Sequence, residues 1–173
     1  MKTIEKHIIP ILFLLAIVPA ASAQQEVVLQ IREGMPIIPV ALPSILLADS
    51  SPAAQQAAQT LREVIKADLK YSRVFNPLPE NYYDYIQNTL DPDQIFYKDW
   101  ASIQASLLIV GQILKADDKN FVYEGKIYDV KSEKFIFGKK YESEIALTRL
   151  VAHKFADELM MIYGEPPLFT TCL

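Results

Sequence analysis

Residues 107–141 constrain the fold of this chain most. Three apolar-rich runs, 107–113, 121–130 and 135–141, are separated by little more than Asp117-Asp118-Lys119-Asn120 and the short polar stretch 131–134. The middle run, Phe121-Val122-Tyr123-Glu124-Gly125-Lys126-Ile127-Tyr128-Asp129-Val130, has the alternation of a strand. Strands this close in sequence, joined by tight turns, pair as an antiparallel meander whose apolar face must be covered. Two helical patterns are available as the cover. Ser51-Pro52 opens the first, with Ser as N-cap and Pro at the first helical position. Its apolar face is Ala57, Leu61, Val64, Ile65 and Leu69, supported by Ala54, Ala58 and Ala67, while Arg62, Glu63, Lys66 and Lys70 fall opposite. The second runs over 145–163 and is expected to bury Leu147, Leu150, Val151, Phe155, Leu159 and Ile162. Residues 35–43 read as a buried first strand in which Pro39 favours an edge or a bulge over a central position. A loop over 42–51, a short extended piece at 72–77, an irregular tyrosine-rich stretch at 80–92 and a short helix at 97–105 complete the order. The expected fold class is α/β (α+β): a two-layer domain with a mixed β-sheet and two main helices packed on it.

The first 23 residues read as a signal peptide. Lys2 and Lys6 precede an apolar run at 8–18, and Ala21-Ser22-Ala23 has the small-x-small form of a cleavage site. Pro10 and the brevity of the run argue against a spanning helix, which needs about 20 apolar residues. Cleavage is expected after Ala23, leaving an exported, soluble chain. The net charge of −4 contains no basic run, so the sequence carries no electrostatic footprint for nucleic acid. One cysteine, Cys172, cannot staple a domain and does not follow the signal as a lipidated cysteine would.

Catalytic chemistry is thin. His7 leaves with the signal, and His153 has only Asp157 and Glu158 near it in sequence; Asp157, four residues on, allows a pair on one helix surface, although a structural histidine is the expected reading. Asp91-Pro92-Asp93 and Asp117-Asp118 lack the spacing of a calcium loop and read as solvated turns. No glycine-rich phosphate loop is present among the five glycines. No catalytic residue, cofactor-binding residue, cofactor or metal is therefore expected, and a hydrolase using His153 is the weakest reading. Interaction chemistry is better supplied. Tyr82, Tyr83, Tyr85, Phe96, Tyr97 and Trp100 concentrate aromatic rings in and beside one loop, either as interface anchors or as cover for the sheet. The segment Glu26, Val27, Val28, Leu29, Gln30, Ile31, Arg32 alternates in character and suits either pairing within its own domain or strand addition to a partner.

Four stretches carry a family resemblance: Ile65-Lys66-Ala67-Asp68-Leu69-Lys70-Tyr71-Ser72-Arg73-Val74-Phe75, Asp99-Trp100, Leu108-Ile109-Val110-Gly111-Gln112, and Ala152-His153-Lys154-Phe155-Ala156-Asp157-Glu158-Leu159 followed by Gly164-Glu165 and Phe169. In this order and spacing they resemble the N-terminal domain of the TolB family of the Tol–Pal system, over residues 36–169. The resemblance implies a non-catalytic periplasmic scaffold in which an N-terminal arm engages a TolA-like inner-membrane protein and a six-bladed propeller binds the Pal lipoprotein. The system serves outer-membrane integrity and cell division. Carried onto this chain, residues 24–34 are the arm and residues 35–164 the α/β domain. Gly164 and the Pro166-Pro167 pair close the last helix, and a strand-like Leu168-Phe169-Thr170-Thr171 follows. Residues 165–173 are thus expected to begin a second domain, truncated here, and the Pal contact of the propeller is not carried over. His153 and Asp157 fall in a structural helix motif of the family. A stand-alone periplasmic domain, like those of outer-membrane lipoproteins that regulate peptidoglycan synthesis, is the alternative.

Overall fold

The computed structural model describes residues 36–83, 85–89 and 91–170. In chain order the elements are β1 (Ile38–Ala41), β2 (Leu46–Leu47), α1 (Pro52–Ser72), β3 (Phe75–Pro77), α2 (Tyr97–Ser102), β4 (Leu107–Ala116), β5 (Asn120–Asp129), β6 (Lys134–Glu144) and α3 (Thr148–Ile162), with short 3-10 turns at Glu80–Tyr82, Pro92–Gln94 and Ile145–Leu147. The sheet order is β3-β1-β4-β5-β6, and β2 also pairs with β4. β4, β5 and β6 form the expected antiparallel meander, whereas β1 is parallel to both β3 and β4. The result is a mixed sheet with helices packed on it.

Two local expectations are corrected. β1 is an interior strand despite Pro39, because its ladder with β4 begins only at Val40–Leu107. Pro39, opposite Asn76 of β3, therefore sits just ahead of the residues paired with β4, its missing N–H falls where β4 has not started, and its carbonyl still accepts from Ser106 N at 2.9 Å. The 42–51 loop also contains a two-residue strand, β2, whose Leu46 and Leu47 pair with Gln112 and Ile113, beyond the reach of β1.

α1 starts as its sequence dictates. Ser51 Oγ accepts from Ala54 N at 3.2 Å, Pro52 occupies the first turn, and the helix ends at Arg73 with φ 58°. The buried stripe is Ala54, Ala57, Ala58, Leu61, Val64, Ile65 and Leu69, but it also includes Asp68, while Ala67 is exposed. On α3 the buried stripe is Val151, Ala152, Phe155, Ala156, Leu159 and Met160, and again an aspartate, Asp157. Leu147 and Ile162 are exposed: the apolar spacing continues to both ends of the helix, and the burial does not.

Alternate residues of β4 feed two cores. Leu107, Ile109 and Ile113 join the cluster under α1 and α3, with Phe121, Tyr123, Ile127, Leu61, Ile65, Leu69 and Phe155. Leu108 and Val110 face the other way, against Tyr83, Ile95, Trp100 and Tyr128, where residues 78–105 cross over the sheet. On the helix side Gly111 and Gly125 sit directly opposite each other in the β4–β5 ladder. A Cβ at Gly111 would lie 2.7 Å from the Tyr123 ring, and one at Gly125 would lie 2.5 Å from the Phe155 ring. The glycine pair thus makes the hollow into which both rings pack, edge to face with centroids 5.8 Å apart.

Candidate functional site

The arm residues Glu26, Val27, Val28, Leu29, Gln30, Ile31 and Arg32 lie outside the described residues, as does Cys172. Among the described residues, polar chemistry gathers between α1 and α3, where the two buried aspartates face the groove that the helices make side by side.

His153 does not pair with Asp157. Its Nδ1 lies 2.7 Å from Oδ2 of Asp68, so the bond ties α3 to α1 across 85 positions of sequence. When the carboxylate is ionised it only accepts, and Nδ1 then carries the donating hydrogen. Burial raises the Asp68 carboxyl above its ordinary value; the bond and charge of His153 and the Arg149 guanidinium oppose that rise, and Asp157 adds to it. No serine, threonine or cysteine is hydrogen-bonded to His153 among the described residues, and no group of three or more His, Cys, Asp or Glu there is arranged to hold a metal. The pair fastens two helices.

Asp157 has a different task. After α3 the chain turns at Gly164, φ 77°, and returns to the helices instead of forming a strand over 168–170. Asp157 Oδ1 accepts from the backbone N–H of Leu168 at 2.8 Å and of Phe169 at 3.0 Å. Its Oδ2 accepts from the Thr170 N–H at 2.9 Å and the Thr170 hydroxyl at 2.6 Å. Burial pushes this carboxyl up, but the four donors outweigh it and hold the group below the usual carboxylate range. Phe169 then lies stacked on the His153 ring, centroids 6.2 Å apart, and edge-on to Tyr71 at 6.3 Å. The partners that sequence reasoning missed, Asp68 for His153 and the 168–170 amides for Asp157, left one trace: each aspartate stands on the apolar side of its helix, beside Leu69 and between Ala156 and Leu159.

The tyrosine-rich segment divides. Tyr83 and Trp100 are core residues, and the Tyr83 hydroxyl donates to the Leu42 carbonyl at 3.1 Å. Tyr82, Tyr85 and Phe96 are exposed. Beside them Glu80 receives Lys66 Nζ at 2.8 Å and Arg62 Nη1 at 3.1 Å, and these bonds, Lys66 foremost, hold its carboxyl below the usual range against a smaller burial effect. Asp91 and Asp117 cap turns, as expected of solvated turn residues.

A family model described as the TolB amino-terminal domain matches residues 27–136, more than half of the chain. The chain belongs to that family. The Tol-Pal system protein TolB of Dinoroseobacter shibae is 31% identical over 144 residues, covering 82% of this chain and 32% of its own length. That of a Jannaschia species is 33% identical over 147 residues, covering 83% and 32%. The chain thus spans about a third of the length of these curated TolB relatives. The crystal structure of TolB from Acinetobacter baumannii superposes with a TM-score of 0.54 at 16% identity, over 75% of this chain and 29% of that one. A lipoprotein of Neisseria meningitidis, GNA1162, superposes with a TM-score of 0.50 at 9% identity, over 70% of this chain and 98% of its own. At these identities the likeness is one of fold, a mixed sheet carrying helices that occurs both as the first part of TolB and as nearly all of a smaller protein. No helix among the described residues is long and apolar enough to cross a membrane.

Proposed function

We propose that this chain is a non-catalytic periplasmic adaptor of the Tol–Pal cell-envelope system, acting by protein–protein contact in support of outer-membrane integrity and cell division. The observation that carries the reading is the family match, which begins at Val27, inside the arm. Residues 1–23 are then the cleaved signal peptide. Glu26, Val27, Val28, Leu29, Gln30, Ile31 and Arg32 are the segment that engages a TolA-like inner-membrane protein, by adding an extended strand whose backbone gives affinity and whose alternate side chains give specificity. Residues 165–173 lead toward a second domain, and a Pal-like contact belongs to a propeller beyond this chain. The chemistry of the domain fits this role, since His153, Asp68 and Asp157 are all engaged in fastening helices and the 168–170 backbone.

The test is recovery of partners from envelope extracts with a tagged, exported chain. Tol components should be recovered with the intact chain and lost when residues 24–34 are deleted; recovery of none with the arm present overturns the reading. A second reading, a stand-alone accessory domain, is favoured by one observation: the fold fills nearly the whole of a lipoprotein. It predicts that the same experiment returns peptidoglycan synthases in place of Tol proteins.

A further inference from the structure

We infer that residues 166–170 are a latched strap, closed by Asp157 over the groove between α1 and α3 and able to open as a unit while the domain stays folded. Three observations place the latch. Every polar bond given to the Asp157 carboxylate comes from residues 168–170, two from side-by-side amides on Oδ1 and two from Thr170 on Oδ2. No residue of either helix supplies a donor to it. The strap's aromatic, Phe169, lies on His153 and Tyr71, at the place where the Asp68–His153 bond joins the two helices. The near side is anchored: Gly164 takes a left-handed conformation at the helix end, its N–H and that of Glu165 bond the Met161 and Met160 carbonyls at 3.0 Å, and the strap swings from there. Pro166 and Pro167 stiffen the stretch between anchor and latch and carry no N–H that must find a partner.

Closing the strap turns the backbone from the end of α3 back along the helical layer, so the point where the chain passes Thr170 is held on α1 and α3 and not at the sheet. Opening it uncovers the Asp68–His153 pair and leaves the Asp157 carboxylate to water. The strands and the Phe155–Tyr123 contacts lie outside this exchange. Carboxylate-to-amide bonds are among the stronger ones in a protein, yet they are few here and only part-buried, which suits local opening well below the cost of unfolding. The inference needs no assumption about the partner of the arm.

Amide hydrogen exchange on the full exported chain tests it, residue by residue. In the wild type the amides of Leu168, Phe169 and Thr170 should exchange more slowly than the exposed turn amide of Asp118 and faster than the core amides of Ile109 and Tyr123. Asp157→Ala should speed the three strap amides at least about tenfold, the loss expected for hydrogen bonds to a charged acceptor, with Ile109 and Tyr123 unchanged. Thr170→Val, which removes one donor and spares the helix, should give a smaller rise confined to the same amides. The inference fails if the wild-type strap amides exchange as fast as Asp118. It also fails if neither variant changes them, or if strap and core amides speed up together.

Discussion

At Asp157 burial alone would favour the neutral acid, and four donors from residues 168–170 reverse that preference; at Asp68 one histidine does not. The two residues should therefore respond to pH in opposite senses. The lowered carboxyl of Asp157 contributes stability above the unfolded-state value, about 4, and loses it as pH falls through the lower folded value. Protection of the Leu168 and Phe169 amides should accordingly collapse on acidification below about pH 4, and Asp157→Ala should abolish that step. Asp68, raised by burial, contributes in the other direction, with stability present below about pH 4 and lost as pH rises through its raised folded value. Asn at this position still accepts from the His153 Nδ1–H without a buried charge. In denaturant titrations, Asp68→Asn should gain on the wild type between pH 4 and pH 7; a difference that shrinks over this interval would remove the burial argument. Gly125 poses a steric question. A Cβ there would press on the Phe155 ring, with the Tyr123 hydroxyl 2.8 Å away on its other flank. Gly125→Ala should cost about 1–3 kcal/mol by overpacking, read as a shift in denaturation midpoint with little change in slope.

Phe155 shows how the elements depend on one another, since it meets Tyr123 of β5, Tyr141 and Phe137 of β6, and the hollow over Gly125. Fully buried at the contact between α3 and the sheet, its replacement by Ala should cost about 3–5 kcal/mol, against about 1 kcal/mol for the α1 cap variant Ser51→Ala; equal losses in a melting series would mean that α3 is not the principal cover. These two sites were legible from sequence because local periodicity and cap chemistry decide them. The meander was legible for the same reason, its runs alternating between turns in which the Asp117 and Asp129 carboxylates accept from backbone N–H groups. Other features depend on distant partners and leave little local trace. β2 exists because β4 outlasts β1 and offers Gln112 and Ile113 to Leu46 and Leu47. Pro39 is tolerated inside the sheet because the register with β4 begins one residue later. The Asp68–His153 bond spans 85 residues, and Asp157 pairs with backbone amides whose identity no residue pattern encodes. Residues 168–170 have strand-like composition, yet a carboxylate takes the N–H groups that a neighbouring strand would have used.

At the scale of the whole molecule, the proposed function assigns folding and recognition to different parts of the chain. The packed domain has two cores on one sheet and a helical layer tied by the Asp68–His153 bond, whereas the proposed recognition segment precedes β1. That division predicts separable effects. Gln30→Ala and Arg32→Ala fall in the proposed recognition segment, and substitutions away from packed or networked sites change stability by no more than about 0.5 kcal/mol. The thermal midpoint of either variant should therefore match the wild type. Strand addition draws its affinity from the backbone and its specificity from alternate side chains, so recovery of the proposed TolA-like partner should fall in at least one of the two, and deletion of residues 24–34 should abolish it. Phe155→Ala provides the opposite control, with a lowered midpoint and partner recovery retained at temperatures where the domain is still folded. If the arm variants instead melt early and still recover the partner, residues 26–32 belong to the fold, and recognition must be sought on the described domain, beginning with the exposed rings of Tyr82, Tyr85 and Phe96.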